Sequence, residues 1–357
     1  MTQKIEIRTM LKTLLNSNLI IILLLPLSIL FRAIIAIRNY LYDTNRLKAR
    51  TLPCKVISIG NITTGGSGKT PTVEFLSLYL KSLGKNVGII SRGYGRTSKN
   101  TKIVTDGINK PTSWEICGDE AFLLANKLDN IPIIVGKSKY DSGLKMATEF
   151  NTDVIIIDDG FQHRSLHRDL DIVLVNSKDT KIDHRPFPLG ILRENLSNLK
   201  RADLIIYTKS NIHNISDYLT NTLNHIKINK IKSAIDIGDK LIDSNNKEAT
   251  IDIIKSKNVF LLSGIGDNEG FKKTVKKAGC NILGHKKFID HYSYKAKDIK
   301  TAHREAIKVD AKYLITTEKD IIKMKDFEFK LPLYAIKMKL TFNPENEMKN
   351  KIESLFS

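Results

Sequence analysis

The sequence predicts an α/β protein. It comprises a mostly parallel sheet with helices on both faces, a second and smaller α/β domain, and an apolar helix at the N-terminus. Short aliphatic runs alternate with helical patterns from Leu52 onwards, a glycine-rich segment follows the first run, and an uncharged stretch precedes both. This alternation is typical of parallel sheets, because strands that are buried on both faces are continuously aliphatic.

Composition and charge restrict the class of protein. The 357 residues allow roughly two domains of ~100–200 residues each. The composition, with 41% hydrophobic and 27% charged residues, excludes wholesale disorder, collagen and a coiled coil. The formal net charge of +19 indicates an anionic partner, which is a nucleic acid, a membrane surface or a phosphorylated substrate. No dense Arg/Lys run with interleaved aromatic residues favours a nucleic acid. Cys54, Cys117 and Cys280 lack C-x-x-C spacing, which indicates reduced core thiols.

The N-terminal segment predicts a membrane helix. Residues 13–31 carry no charge, residues 19–25 are continuously aliphatic, and basic residues flank both ends. This is about the ~20 residues that a spanning helix needs, and the basic flanks suit an anionic headgroup layer. A cleaved signal peptide is disfavoured because no A-x-A-like site follows. A single span and a helix lying in one leaflet both fit the pattern.

The first domain is predicted from short, β-branched aliphatic runs separated by segments with helical periodicity. Its strands are predicted at residues 55–59, 86–90, 131–135, 154–157, 172–175 and 204–207, and its helices at residues 70–83, 119–128 and 139–150.

The second domain repeats the alternation after a weaker region, in which residues 227–237 alternate polar and apolar side chains. Its strands are predicted at residues 259–263, 281–284, 313–316 and 333–336, and its helices at residues 268–278, 295–309 and 343–355. The chain therefore divides into the membrane helix (1–48), the larger domain (49–225), extended connecting strands (226–250) and the smaller domain (251–357).

A phosphate-binding loop is predicted between the first strand and the first helix. Its residues are Thr63, Thr64, Gly65, Gly66, Ser67, Gly68, Lys69 and Thr70. Glycines let backbone N–H groups surround phosphate oxygens, Lys69 reaches the β- and γ-phosphates, and Thr70 ligates Mg²⁺. Thr63 replaces a glycine of the strict G-x-x-x-x-G-K-[ST] pattern, but neighbouring glycines supply flexibility. The larger domain is thus predicted to be P-loop NTPase-like, a glycine-rich turn with a stray lysine being the alternative.

An acidic residue at the end of an aliphatic strand supplies the second magnesium ligand in such proteins. Asp158 and Asp159 follow the run 154–157. A GTPase is excluded because residues 176–179 depart from the N-K-x-D base-reading pattern. The membrane-partitioning ATPases with an extra lysine early in the loop are excluded because no lysine stands near Thr63.

Seven motifs then occur in one order along the chain. The most specific are residues 91–96 (SRGYGR) and 158–164 (DDGFQHR). The others are residues 60–71, 118–120 (GDE), 188–194 (PLGILRE), 290–291 (DH) and 317–320 (TEKD). Together they resemble the tetraacyldisaccharide 4'-kinase family, whose phosphate loop is similar to this one at Thr63 as well.

The resemblance implies ATP- and Mg²⁺-dependent phosphorylation of the 4'-hydroxyl of a tetraacylated glucosamine disaccharide 1-phosphate, a late step of lipid A synthesis that gives the 1,4'-bisphosphate. It implies two partners, the lipid substrate and the anionic surface of the inner membrane at its cytoplasmic face. It implies neither a nucleic acid nor a protein partner. The basic charge and the apolar N-terminus agree with an acylated, phosphorylated acceptor.

The resemblance also assigns roles to residues. Asp119 becomes the base, paired with His291 of the second domain, although the residues alone favour a helix cap for Asp119 and allow a surface histidine at His291. The catalytic set is Asp119, His291, Lys69 and Asp159. The metal set is Thr70, Asp158, Asp159 and Glu194, with a solvated loop carboxylate as the alternative for Glu194. The nucleotide set adds Arg92, Tyr94, Arg96, His163 and Arg193 to the phosphate loop. Arg164 is a further phosphate candidate, and each arginine has a surface ion pair as its alternative.

Two other functions fit part of the pattern. A membrane-associated P-loop switch or transport ATPase needs only the loop, the acidic pair and the anchor, but it gives no role to Asp119 and His291. A soluble small-molecule kinase requires the N-terminal helix to be a core helix, and the basic flanks and apolar density of residues 19–31 oppose this.

Overall fold

The computed structural model describes residues 18–357, with side chains from Ile20 onwards. The predicted apolar residues 13–17 and the basic residues that precede them lie outside this range. Contacts divide the chain into two units. The first ends at Ala234 and includes Phe342–Ser357, and the second spans Ile235–Thr341.

The first unit is built on a parallel sheet, as the aliphatic runs predict. Its strands are β1 (Lys55–Asn61), β2 (Val87–Ser91), β3 (Lys102–Thr105), β4 (Ile133–Val135), β5 (Val154–Asp158), β6 (Leu170–Asn176) and β7 (Leu204–Thr208). Their order is β3-β4-β2-β5-β1-β6-β7, and each of these pairs is parallel except β3 with β4. The carboxyl ends of β1, β2 and β5 therefore share one edge, where parallel α/β sheets bind ligands.

Helices surround this sheet. They are α1 (Asn18–Asp43), α2 (Lys69–Ser82), α3 (Trp114–Cys117), α4 (Asp119–Lys127), α5 (Lys139–Phe150) and α6 (Asp217–Asn224). The structure confirms the predicted helices now numbered α2, α4 and α5 to within a residue at each end. It adds β3, α3 and α6, which the sequence analysis missed. Each of these is short and buries few side chains, so none produces a clear apolar pattern.

The second unit is a smaller α/β structure, as predicted. Its elements are β8 (Lys230–Ile242), β9 (Glu248–Thr250), β10 (Asn258–Ser263), α7 (Asn268–Lys276), β11 (Asn281–Lys287), α8 (Ala296–Lys308), β12 (Tyr313–Thr317), α9 (Glu318–Ile321) and β13 (Leu333–Asn343). The first residues of β8, up to Ala234, and the last two residues of β13 belong to the first unit. The strand order is β11-β10-β12-β13-β8, with β9 antiparallel to β8. The predicted connecting strands correspond to β8 and β9. Strand β13 runs well beyond the predicted residues 333–336. The prediction stops early because polar side chains interrupt the apolar pattern in the second half of the strand.

The last helix, α10 (Glu345–Glu353), packs on the first unit. The Phe342 ring lies edge-on against Phe75 with 4.7 Å between centroids, and the Tyr79 hydroxyl hydrogen-bonds Glu353. The sequence predicts this helix as the end of the second domain, residues 251–357, and this position is wrong. Helical periodicity identifies a helix but not the surface that covers its apolar face.

Helix α1 presents apolar side chains to solvent. Within the described residues it is long and apolar enough to cross a membrane, and little of it is buried. Ile22 is 67% exposed and Leu23 is 70% exposed. The opposite face is docked, since Ser28 Oγ donates to the Pro186 carbonyl at 3.2 Å and the Phe31 ring contacts that of Phe187. The structure therefore leaves one face of α1 without a protein partner among the described residues.

The second unit contains a partly buried histidine whose charge state affects stability. His285 Nε2 lies 2.7 Å from Ser263 Oγ, and burial lowers the pKa of His285 to about 4. Between these two values the folded unit therefore holds a neutral imidazole. In the unfolded chain the same imidazole is protonated below its usual pKa of about 6.5.

We expect the free energy of unfolding to fall as the pH is lowered from 7 to 5, because the unfolded state then binds more protons at His285. This group contributes roughly 1–2 kcal/mol to that loss by linkage. Urea titrations of the wild type and of His285→Gln at both pH values measure it. The variant should lose less stability than the wild type, and an equal loss in both proteins would contradict the assignment.

Candidate active site

The loop between β1 and α2 has the local structure of a phosphate cradle. Gly68 takes φ +87° immediately before α2, a left-handed conformation that glycine adopts at little cost. Asn61 Nδ2 donates to Ser67 Oγ at 2.9 Å, and Lys209 Nζ donates to the Gly66 carbonyl at 3.1 Å. The tip at Gly65 is exposed. The loop is thus held from both sides while its backbone stays open to a ligand.

The first half of the loop is supported by the 188–194 motif. Thr64 N donates to the Ile191 carbonyl at 2.8 Å, and Arg193 N donates to the Ile62 carbonyl at 2.7 Å. The side chain of Thr63 is buried, and its hydroxyl donates to Asp179 Oδ2 at 3.4 Å. Threonine at this position thus adds a long side-chain contact that a glycine could not make.

Lys69 and the acidic pair meet at the carboxyl edge of the sheet. Lys69 Nζ lies 3.6 Å from Asp159 Oδ1, and Arg193 Nη1 lies 2.8 Å from both oxygens of Asp159. Burial alone would raise the pKa of Asp159, but Lys69 and Arg193 outweigh it and hold that pKa below its usual range. Asp159 is therefore an anion that fixes two cations beside the phosphate loop.

Asp158 occupies a different environment. Its Oδ2 accepts a hydrogen bond from Ser91 Oγ at 3.0 Å, whereas among the described residues its buried Oδ1 has no hydrogen-bond partner. Burial, and then the nearby Glu120 carboxylate, raises the pKa of Asp158 to about 6. An unsatisfied buried carboxylate oxygen is costly, and a cation would satisfy it.

A Mg²⁺ ion fits this donor set. Within the described residues no three His, Cys, Asp or Glu side chains form a metal cluster on their own. Mg²⁺ at nucleotide sites instead takes one or two carboxylates together with substrate phosphates. Asp158 Oδ1 and the hydroxyl of Thr70, at the start of α2, would hold it.

Glu194 lies in a hydrogen-bonded network rather than in solvent. It is buried, and its carboxylate accepts from Gln162 Nε2 at 2.9 Å, Arg201 Nη2 at 2.9 Å and Asn39 Nδ2 at 3.2 Å. The alternative of a solvated loop carboxylate is therefore wrong. The metal role of Glu194 stays a prediction.

Asp119 is positioned by close packing of the motif at residues 118–120 against the motif at residues 91–96. A Cβ at Gly118 would lie 2.5 Å from the Tyr94 carbonyl, so the 91–96 loop contacts the start of α4 closely. Gly118, not Asp119, is the N-cap residue of α4. The Asp119 carboxylate is buried, and its Oδ1 accepts from Glu120 N at 2.9 Å. Asp119 therefore lies one residue past the N-cap position, where its carboxylate still accepts a first-turn backbone N–H, and its role as the base stays a prediction.

The arginines have distinct surroundings. Arg96 donates to the carbonyls of Lys99 and Asn100, at 3.1 and 2.6 Å, and thereby holds its own loop. The Arg92 guanidinium lies 5.4 Å from the centre of the Tyr94 ring. Arg164 donates to the Asn39 carbonyl at 3.0 Å and to Asp43 at 2.7 Å, so it contacts the end of α1.

His163 is held neutral at physiological pH. Burial, with Lys139 as the next contribution, lowers the pKa of His163 to about 4. The imidazole therefore adds no charge beside the acidic pair. Its phosphate-positioning role, like those of Arg92, Tyr94 and Arg96, stays a prediction.

Comparisons with known proteins identify the family. The sequence model of the tetraacyldisaccharide-1-P 4'-kinase family matches residues 20–357. The chain belongs to this family. A tetraacyldisaccharide 4'-kinase of Aquifex aeolicus is 37% identical over 333 residues, 93% of this chain and 98% of the relative. One from Chlorobium phaeobacteroides is 38% identical over 310 residues, 85% of this chain and 86% of the relative.

A solved structure of a relative has the same fold over most of the chain. The crystal structure of LpxK from Aquifex aeolicus in complex with ATP matches with a TM-score of 0.77 and 36% identity, covering 94% of this chain and 98% of that one. The fold class, the family resemblance and the kinase function are thereby confirmed over the alternative of a switch or transport ATPase. ATP is the nucleotide of this family, with Mg²⁺ as its usual partner.

One residue of this kinase site was missed by the sequence analysis. Lys139, the first residue of α5, is buried, and its Nζ donates to the Asp158 carbonyl at 3.1 Å and the Ile90 carbonyl at 3.4 Å. Burial lowers its pKa to about 8, and Asp158 is the largest opposing influence. Its position just after β4 was the available signal, because side chains there face the same sheet edge as Asp158.

His291 lies in the second unit after β11. It has φ +58°, and its backbone N donates to Asp290 Oδ1 at 3.0 Å. Lys319 Nζ lies 3.2 Å from both His291 Nε2 and Asp290 Oδ1, so two of the family motifs meet here. The pairing of His291 with Asp119 stays a prediction.

Proposed function

We propose that this kinase transfers the γ-phosphate of ATP to the 4'-hydroxyl of a tetraacylated glucosamine disaccharide 1-phosphate, giving the 1,4'-bisphosphate. The observation that carries the proposal is the grouping of Lys69 and the acidic pair at the open phosphate loop, with Asp119 buried at the start of α4. Family membership supports the acceptor.

Positioning and charge neutralisation account for most phosphoryl-transfer catalysis. The N–H groups of the loop and α2 bind phosphate oxygens, and Lys69 neutralises charge that develops on the transferred group. Asp159, fixed between Lys69 and Arg193, keeps both cations directed at the phosphates. Thr70 and Asp158 would hold Mg²⁺, which would supply further positive charge at the phosphates when bound.

Asp119 is the proposed base. As the acceptor oxygen bonds to the γ-phosphorus and the bond to the ADP oxygen breaks, the hydroxyl proton passes to the Asp119 carboxylate. The predicted role of His291 in this step is to take up that proton. The products are ADP and the lipid 4'-phosphate, so charge and atoms balance.

A direct assay tests the function. Purified protein, ATP, Mg²⁺ and the acylated disaccharide 1-phosphate are incubated in mixed detergent micelles, and the lipid is analysed by mass spectrometry. The lipid should gain one phosphate for each ATP consumed. Release of inorganic phosphate with unmodified lipid would contradict the proposal and favour an ATPase.

We further propose that α1 attaches the enzyme to the anionic cytoplasmic face of the inner membrane. The exposed apolar residues of α1 and the basic flanks support this. Burying a leucine side chain contributes about 1.5–3 kcal/mol, so Leu23→Gln with Leu30→Gln should weaken binding to anionic vesicles at least tenfold.

The matched control is Leu78→Gln, an equally apolar, exposed residue on α2. Vesicle co-sedimentation measures both variants. Unchanged partitioning of the Leu23/Leu30 double variant would exclude this face of α1 from attachment, whatever the enzyme's acceptor.

A further inference from the structure

We infer that Asn39 of α1 is a positioning residue for phosphoryl transfer, acting on the phosphate-loop lysine through Glu194. The inference rests on the kinase function proposed above. It assigns the docked face of the membrane helix a part in arranging the active site, in addition to any part in attachment.

A continuous chain of side chains joins α1 to the acidic pair. Asn39 Nδ2 donates to Glu194 Oε2 at 3.2 Å, and Gln162 Nε2 donates to Glu194 Oε1 at 2.9 Å. Gln162 Oε1 in turn accepts from Arg193 Nη1 at 3.2 Å. The same Arg193 nitrogen holds both oxygens of Asp159 at 2.8 Å. Each link therefore fixes the orientation of the next.

The chain ends at the catalytic cation, since Asp159 Oδ1 lies 3.6 Å from Lys69 Nζ. A displacement of Arg193 would let Asp159 pair more closely with Lys69 and draw its ammonium group away from the γ-phosphate. Misplacement by about 1 Å can reduce a rate by around a hundredfold, so such a movement has a measurable cost.

The first links are buried, which makes them sensitive to loss of one partner. Asn39 is 4% exposed, and the Glu194 side chain is 0% exposed. Removing a donor from a buried carboxylate leaves it to re-pair with the donors that remain. Glu194 Oε2 would retain Arg201 Nη2 at 2.9 Å, so we expect Glu194 to shift towards Arg201 and Gln162 to follow.

Other contacts of α1 dock the helix without touching Glu194. Ser28 donates to the Pro186 carbonyl, and Arg164 binds Asp43. Ser28 is as buried as Asn39 and lies on the same helix. A Ser28→Ala variant therefore removes one docking hydrogen bond and leaves the chain to Lys69 intact.

The test compares Asn39→Leu with Ser28→Ala in the mixed-micelle assay. Leucine has the same branching as asparagine but a larger volume, and a cavity of about 180 Å³ lined by Asn39, Glu194, Phe31 and Leu192 gives it room. We expect Asn39→Leu to lower kcat at least tenfold, with the KM for the lipid within twofold of wild type. Ser28→Ala should keep both constants within twofold, and Asn39→Gln should restore part of kcat.

Equal effects of Asn39→Leu and Ser28→Ala, an unchanged kcat, or a rise in lipid KM alone would overturn the inference. Asn39→Ser serves as the second variant if Asn39→Leu does not fold, and the same loss of kcat is expected. Failure of the proposed function is distinguishable, because the wild-type enzyme would then leave the lipid unphosphorylated.

Discussion

Replacing Asp119 with asparagine is expected to lower kcat for lipid phosphorylation by about 10²–10⁴-fold, the usual contribution of a positioned general base. Asparagine keeps the size of the side chain and can still accept from Glu120 N, so α4 should begin as before. The asparagine amide cannot take up the proton of the lipid hydroxyl at neutral pH. Single-turnover label transfer measures the loss, and binding of a fluorescent ATP analogue should be nearly unchanged.

The control for this variant is Asp217→Asn, which alters a first-turn carboxylate of α6. It tests whether losing a charge at a helix start is enough to reduce activity. We expect less than a twofold effect. If Asp119→Asn kept more than half of the wild-type rate, Asp119 would not be the base.

Replacing Lys69 with methionine is expected to lower kcat by about 10²–10³-fold, as removal of one group that stabilises transition-state charge does elsewhere. Methionine fills similar space but removes one of the cations that balance Asp159, leaving the ion pair with Arg193. ATP affinity should also fall, because Lys69 reaches the phosphates before transfer as well as during it. Steady-state kinetics with varied ATP separate the two effects.

Lys81→Met is the matched control, because Lys81 lies on the same helix and contacts the Asp129 carbonyl. It should behave as wild type within twofold. A Lys69→Met enzyme with normal kcat would show that the phosphate loop does not act through this lysine.

The parts of the site that sequence predicts are those encoded by neighbouring residues. The phosphate loop combines glycines, Lys69 and Thr70 in one segment, and Asp158 and Asp159 directly end an aliphatic strand. Strand register then brings them together, because parallel strands place their carboxyl ends at one edge. Buried strands are similarly evident from their β-branched composition.

The remaining parts depend on contacts between distant residues. Asn39 and Glu194 are 155 positions apart, and no local pattern links them. Arg164 and Arg96 are recognisable as cations in specific motifs, but only the fold shows that one binds the end of α1 and the other its own loop. Lys139 looks like an ordinary helix-start lysine until α5 is packed against β2 and β5.

Transfer to the 4'-hydroxyl is tested directly by a ³¹P–¹H correlation NMR spectrum of the purified lipid product. We expect a new phosphorus signal coupled to the proton on C4' of the distal glucosamine, beside the unchanged signal of the 1-phosphate. Coupling of the new phosphorus to a proton at another ring position, or a diphosphate at C1, would contradict it.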